Sequence, residues 1–479
     1  MESESLSALR YAGTIRQKWL CLLCVSLGTF IAYLDSSIVN IALPTLARYF
    51  QANIPDVEWV VTAYLLMITG LTVVFGRVAD MYGRKKVYIA GFIIFTIGSA
   101  LCSTAPSLWL LVASRCIQGI GGAALLANGI ALLTESFPLV ERGKALGLNA
   151  STLALAGISG PLLGGFLTEH IGWPAIFYVN IPIGIIAIFL SARFLPASTT
   201  SPQTEPFDWP GSITLVAGLS CFLLLSNSLS RHEGRSVMII GLLITALAFA
   251  LMFLLIEVRN KHPLLDLRLF QRRAFSVAAA SCFLSFWAMS AVIFLVPFYL
   301  DRVLGYSPTQ IGQILAPVPL VLLGAAPLGG YLADRFGARP VCLIGATINC
   351  LGLLSLSTLD ASMTRFDVML RLIPFGLGTG LFQPPNNSKM VGAVPSHRLG
   401  VASGLIGAMK NLGSMSGVAT ISLIFTFAQL TALQHLSTSG ESSLMLERQA
   451  FVSALQCTFL IATAIGSLVI LSSAIKDEK

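Results

Sequence analysis

Two charged residues stand where the sequence is otherwise suited to lipid. Asp35 lies in FIAYLDSSIVNIALP, from Phe30 to Pro44, and is the sole charge between Lys18 and Arg48. Arg115 opens the stretch RCIQGIGG inside another apolar run. A charge near the middle of a membrane-spanning helix costs roughly 2.5 to 3.5 kcal/mol on insertion scales, so such residues usually belong to ion or substrate pathways. Removal from water penalises the charged form of a carboxyl group, which suits it to take up and release a proton. The plainer alternatives are a carboxylate that hydrogen-bonds a neighbouring helix and a cation satisfied by backbone carbonyls. Gln118 and Gly119 fall on turns adjoining Arg115, and Gly119, Gly121 and Gly122 would let another helix approach that polar face. Whether Arg115 touches Asp35 is left open by the residues alone. No other strong intramembrane acid is recognised in the first half, and none in the second.

Other chemistries lack their residues. There is no paired-histidine metal motif, no GxSxG nucleophile elbow and no Walker-type phosphate loop, which argues against an enzyme and against direct ATP drive. His170, His232, His262, His397 and His435 are scattered at expected span ends. The pair Cys21 and Cys24 has redox or zinc spacing but no second pair, so it reads as packing, as do the other seven cysteines in their apolar runs. Neither a metal nor a cofactor is expected.

The elements that must position Asp35 and Arg115 are membrane helices. Charged residues make up only 11% of the 479 and hydrophobic residues 55%, against about 25% charged in soluble domains. Cutting the chain at charged and Pro/Gly-rich breaks leaves fourteen apolar segments of spanning length, an all-α integral membrane protein with a retained first helix. An even number puts both termini on one side. If that side is cytoplasmic, it collects Arg84, Lys85 and Lys86 and most other basic residues, a bias of roughly threefold that favours an N-in, C-in topology. The same bias accounts for the net charge of +8 without a nucleic-acid partner. Asp35 would then lie roughly 25 Å along the first helix, in the outer half of the bilayer.

An internal repeat organises the spans. GRVADMYGRKK begins at Gly76 and GYLADRFGARP at Gly330, 254 residues later; RCIQGIGG from Arg115 and RLIPFGLGTG from Arg371 are 256 apart, as are Arg142 and Arg398. Three landmarks at nearly one offset imply two six-helix halves, residues 1–200 and 263–479, with two inserted helices in 201–262. Parallel halves of this kind build many secondary transporters.

Together these motifs resemble the major facilitator superfamily over nearly the whole chain. LDSSIVNIALP, GWPAIFYVNIPIG and FQPPNNSKMVGAVP look like its fourteen-span drug/proton antiporter family in particular. The chain departs from that pattern at Trp173–Pro174, where the usual arginine is missing, and at Arg339–Pro340, where the basic cluster of the first half is lost. The resemblance implies proton coupling through Asp35 and Arg115. It implies a cytoplasmic latch built from Gly76, Asp80, Gly83, Arg84, Glu135, Gly330, Asp334 and Arg335, in which Arg84 can reach Glu135. The antiporter motif AGISGPLLGG supplies Gly157, Gly160, Pro161, Gly164 and Gly165. Tyr33, Asn128, Asn149, Phe283, Trp287, Phe294, Gln383 and Asn387 are candidate pocket residues, aromatic walls with a few amides that suit amphipathic cargo.

The expectation is therefore a monomeric multi-pass protein of the cell (inner or plasma) membrane that exports small amphipathic drugs or toxic compounds by alternating access, driven by a proton gradient. An alternative keeps the carrier but gives it one metabolite, such as a vitamin, peptide or lipid precursor. A channel or receptor is the remote reading of another class.

Overall fold

A computed structural model describes residues 15–196, 208–230, 236–260, 267–392, 399–436 and 443–474. His232, His262, His397 and Arg398 fall outside these segments, as do the side chains of Asp80 and Arg142. The described residues are helical apart from short joints. In chain order the helices of the first half are α1 (Ile15–Tyr49), α2 (Ile54–Val57), α3 (Trp59–Tyr82), α4 (Arg84–Ser103), α5 (Leu108–Ser136), α6 (Leu139–His170), α7 (Ala175–Tyr178) and α8 (Asn180–Phe194). The insertion is α9 (Trp209–Ser230) and α10 (Ser236–Arg259). The second half comprises α11 (Arg273–Arg302), α12 (Pro308–Leu315), α13 (Pro317–Phe336), α14 (Ala338–Leu356), α15 (Arg365–Gly392), α16 (Leu399–Leu436) and α17 (Ser443–Ala474).

Counting α2 with α3, α7 with α8, and α12 with α13, this makes fourteen crossings by length. Thirteen are also apolar enough to be candidate membrane spans on composition; α15 falls short. Its 28 residues carry Arg365, Asp367, Arg371, Lys389 and three prolines, so packing against α13 and α14 must hold it in place where hydropathy does not.

The repeat is visible in the backbone. Gly83 and Gly337, 254 residues apart, both take positive φ (96° and 90°) and both close the preceding helix with an N–H bond of 2.8 Å, to Ala79 O and Ala333 O. A side chain would be strained in that conformation, so glycine is required at each turn. Gly121 of α5 packs directly on the backbone of Phe95 in α4, where an added Cβ would lie 2.4 Å from the Phe95 nitrogen. Gly378 of α15 does the same to Asn349 of α14, at 2.2 Å.

The halves meet at one end of the bundle. A single apolar core joins Ile38–Ala47, Val57–Ala63, Trp287–Val303, Ile311–Leu315 and Val418–Phe425 there, drawing on both halves. Arg48 pairs with Asp301 at 3.0 Å across the seam, and the Thr309 N–H donates to Glu169 at 2.9 Å. We call this the sealed end. Toward the opposite, basic end the core splits into one cluster of α1, α3, α4, α5, α6 and α8 and another of α11, α15 and α16. Among the described residues, the apolar core thus closes one mouth and divides at the other.

The two inserted helices differ sharply. α9 wedges between the halves: Asn227 donates to Pro55 O at 2.7 Å and Ser226 to Ala419 O at 2.8 Å, so it ties α2 to α16. α10 packs on α9 and leaves most of its apolar surface outward, as a lipid-facing helix would.

Candidate functional site

Asp35 and Arg115 are in contact. Both are buried, and Arg115 Nη1 donates to Asp35 Oδ2 at 2.5 Å. Two amides complete the carboxylate: Gln118 Nε2 donates to Asp35 Oδ1 at 2.7 Å and Asn180 Nδ2 to the same oxygen at 2.9 Å. Arg115 is satisfied in turn by Gln118 Oε1 at 2.6 Å and Val60 O at 2.9 Å, and its guanidinium lies 4.1 Å from the centroid of the Tyr64 ring. Gln118 also reaches Ser99 at 2.8 Å, and the Tyr64 hydroxyl donates to Ala32 O at 3.2 Å. Five spans of the first half therefore converge on one ion pair.

Close helix approach makes this possible. An added Cβ on Gly98 would sit 2.6 Å from the Gln118 backbone, and one on Gly119 would sit 2.9 Å from Tyr64 O. Small residues at both crossings bring α4 and α3 against α5, so Ser99 and Tyr64 fall within reach of the charges. Asn180 is delivered by the break between α7 and α8, which starts a helix at depth and aims its amide at Asp35.

Two buried charges survive only if their attraction and their hydrogen bonds replace lost hydration; removing one partner of such a pair typically costs 3–5 kcal/mol. A proton added to Asp35 would exchange an ionic contact for a neutral one and leave Arg115 without its counter-ion. Such a site has two charge states that favour different packing around it.

The sequence singled out Asp35 and Arg115 but missed Asn180, Ser99 and Tyr64 as their partners. Asn180 lies in the quoted stretch GWPAIFYVNIPIG; a buried amide at a helix break was its available signal. Glu58 was also passed over, because it sits at the edge of the second span, yet it is buried at the joint of α2 and α3.

At the basic end Arg84 pairs with Glu135 at 2.7 Å, and Gly83 makes the turn between α3 and α4. Gly76, Gly330, Asp334 and Arg335 lie near the corresponding turns, with Arg335 exposed beside Phe336. The AGISGPLLGG stretch packs α6 on α1 and on α12 across the seam. Gly160 abuts Ser37, Gly164 abuts Ile38, Gly165 meets the Pro308 carbonyl, and the Pro161 carbonyl meets Gly312; Gly157 faces Pro319 more loosely.

The pocket candidates separate. Tyr33 is 40% exposed midway along α1, only two residues from fully buried Asp35. Phe283, Gln383 and Asn387 are half-buried. Asn128 is buried and turns back onto Ala124 O, and Asn149 accepts from Thr29 at 3.1 Å. Trp287 and Phe294 lie in the sealed core, Phe294 against Phe298, so in this conformation they pack between helices and line no open space.

Comparison with known proteins decides the family. The sequence profile of the Major Facilitator Superfamily matches residues 25–418. The chain belongs to this superfamily. It is a multi-pass membrane transporter and not an enzyme. Among its relatives, it is 35% identical over 446 residues to the riboflavin transporter RibZ of Clostridioides difficile, covering 93% of this chain and 96% of that one. It is 32% identical to the multidrug resistance protein Stp of Mycobacterium tuberculosis, covering 88% of this chain and 78% of that protein. In fold it is similar to a bacterial homologue of the human lysosomal transporter Spinster in an inward-facing, unoccupied conformation. The TM-score is 0.70 and the identity 14%, with 96% of this chain and 98% of that chain covered.

Proposed function

We propose that this secondary transporter couples proton entry to the export of amphipathic organic compounds, with Asp35 as the proton carrier. The observation that carries the reading is the buried pair of Asp35 and Arg115, held by Gln118 and Asn180. A structural ion pair needs no such isolation, whereas a coupling group needs a state in which its proton cannot leak. In this reading the basic end is cytoplasmic. Drug reaches the divided mouth from inside, the carrier turns, and a proton from outside neutralises Asp35 and weakens its hold on Arg115. The freed cation rearranges its neighbours and resets the carrier. In this reading the loop carrying Arg84 is the latch of the basic end, its pair with Glu135 holding the turn between α3 and α4 on the end of α5 within the first half, and Pro161 with its glycines seals the other end. The cell membrane is its place of work, and a monomer suffices because the sealed mouth is closed by the chain's own two halves.

Similarity to Stp, and to the tetracenomycin C resistance and export protein of Streptomyces glaucescens at 28% identity, supports a drug-like cargo. A second reading, a single metabolite carried by the same machinery, is favoured by the 35% identity to a riboflavin transporter over nearly the full chain. Competition separates them: broad export predicts that chemically unrelated dyes inhibit one another, and a dedicated carrier predicts inhibition by one compound class such as flavins. The coupling itself is tested in liposomes with an imposed pH gradient. Asp35→Asn should abolish gradient-driven efflux and the accompanying proton movement; efflux at the wild-type rate would refute the assignment.

A further inference from the structure

A second acid is buried in the transporter, away from the Asp35 cluster. Glu58 caps the joint of α2 and α3 at the sealed end and is 2% exposed. Its Oε2 is buried, and Ser422 Oγ, which makes no other hydrogen bond, faces it from α16 of the other half. The Trp59 indole N–H beside it is also buried without a partner. Of the elements packed around it, α2 brings Asp56, a second acid, while α9 brings Ser226 and Asn227, already bonded to the backbones of α16 and α2. None of these groups is a cation.

An ionised carboxylate stripped of water with no cation to pair with is among the costliest groups a protein can bury; its neutral acid is far cheaper and can itself donate a hydrogen bond. Ser422 Oγ stands ready to accept one. Glu58 lies on the seam where the halves meet, so separating them at this end would return it to water, where a glutamate is ionised near neutral pH.

We propose that Glu58 is a second proton-binding site, loaded from the sealed side of the membrane as the two halves close there. The step is balanced: the carboxylate takes one proton from that aqueous face, the acid O–H donates to Ser422 across the seam, and the same proton returns to the same face when the halves part. Glu58 therefore adds nothing to the number of protons transported. It ties closure of this end to the pH beside it, and the ratio of closed to open carriers rises by up to about tenfold per unit of acidification there. The inference rests on alternating access, and not on Asp35 being the coupling group.

The test is a distance measurement across the sealed end of the full-length protein in lipid nanodiscs. Spin labels carried by unnatural amino acids replace Gln51 and Ala361, so all nine cysteines stay in place. In the otherwise native chain the short-distance population should grow as pH falls from 8 to 5. Glu58→Gln, which mimics the protonated acid, should hold that end closed across the range, and Glu58→Asp should restore a pH response at a shifted midpoint. Asp35→Asn should keep the response while losing gradient-driven transport, which separates this site from the coupling site. A flat native profile would overturn the proposal. So would a Glu58→Gln protein that responds as the native one does, or a response that disappears with Asp35→Asn.

Discussion

The first half buries an ion pair where the second half, among the described residues, has none. Arg115 and Arg371 are repeat-related, 256 residues apart. Arg115 sits deep in α5 with Asp35, Gln118 and Val60 O, whereas Arg371 is half-buried near the start of α15, bonded to Asp367 O at 3.2 Å and Thr358 at 3.4 Å. At the offset of Asp35 the second half offers Met289, Ser290 and Ala291, and at that of Gln118 it offers Pro374. Ser290 spends its hydroxyl on the Phe286 and Ser414 carbonyls, and Asn349 on Thr379. Helix packing is nonetheless shared, down to the glycine contacts of Gly121 and Gly378. Helix packing is thus common to both regions, while the buried acid–base pair lies in the first; the cation inside α16, Lys410, stacks on the Phe286 ring instead.

Breaking the asymmetry should give the largest effect. Arg115→Ala leaves Asp35 buried without its counter-ion, so a loss of about 3–5 kcal/mol is expected, read as a fall in thermal midpoint in detergent. Asp35→Asn combined with Arg115→Gln should recover much of that stability while transport stays absent; recovery of transport would place the coupling elsewhere. The shared scaffold predicts a smaller and symmetric response. Gly121→Ala and Gly378→Ala each force a Cβ onto the facing backbone and should each cost about 1–3 kcal/mol by the same measurement. A large cost at one site alone would break the structural equivalence of the halves.

Two weaker changes sharpen the comparison. Gln118→Leu removes a donor to Asp35 and an acceptor for Arg115 and should cost roughly 1–3 kcal/mol, with gradient-driven efflux reduced but not abolished because the carboxylate keeps its cation. Arg371→Gln touches a partly solvated residue whose carboxylate neighbours, Asp360 and Asp367, are solvent-exposed, and should change stability by within about 0.5 kcal/mol. Gradient-driven efflux should be near the wild-type rate. Loss of coupling in that variant would mean that the second half carries charge chemistry after all.

Much of this was legible beforehand. The spans and the two buried charges follow from local patterns, since hydropathy and intramembrane charge are properties of a short window. The length of α15 also followed, although its prolines and charges make it a poor membrane segment by composition. Asn180 could not be assigned, because its role depends on a helix break meeting α1 across the bundle. Glu58 was invisible for a related reason: a glutamate beside a loop looks solvated until α16 of the other half covers it. Phe294, an aromatic read as a pocket residue, is absorbed into the core by the closed seam in this conformation, which local pattern could not foresee.

By itself the sequence determined that the protein must live in lipid, that it is built twice, and that an acid and a base lie in its first half at a cost that something must offset. Only the tertiary structure decided that they offset one another, which helices supply their hydrogen bonds, and which end of the carrier is sealed. The physical reason is range. Transfer into lipid acts on each helix separately and is written into its own residues. Ion pairs and buried amides form between helices scores of residues apart, and small residues at the crossings set the few ångströms that separate contact from none.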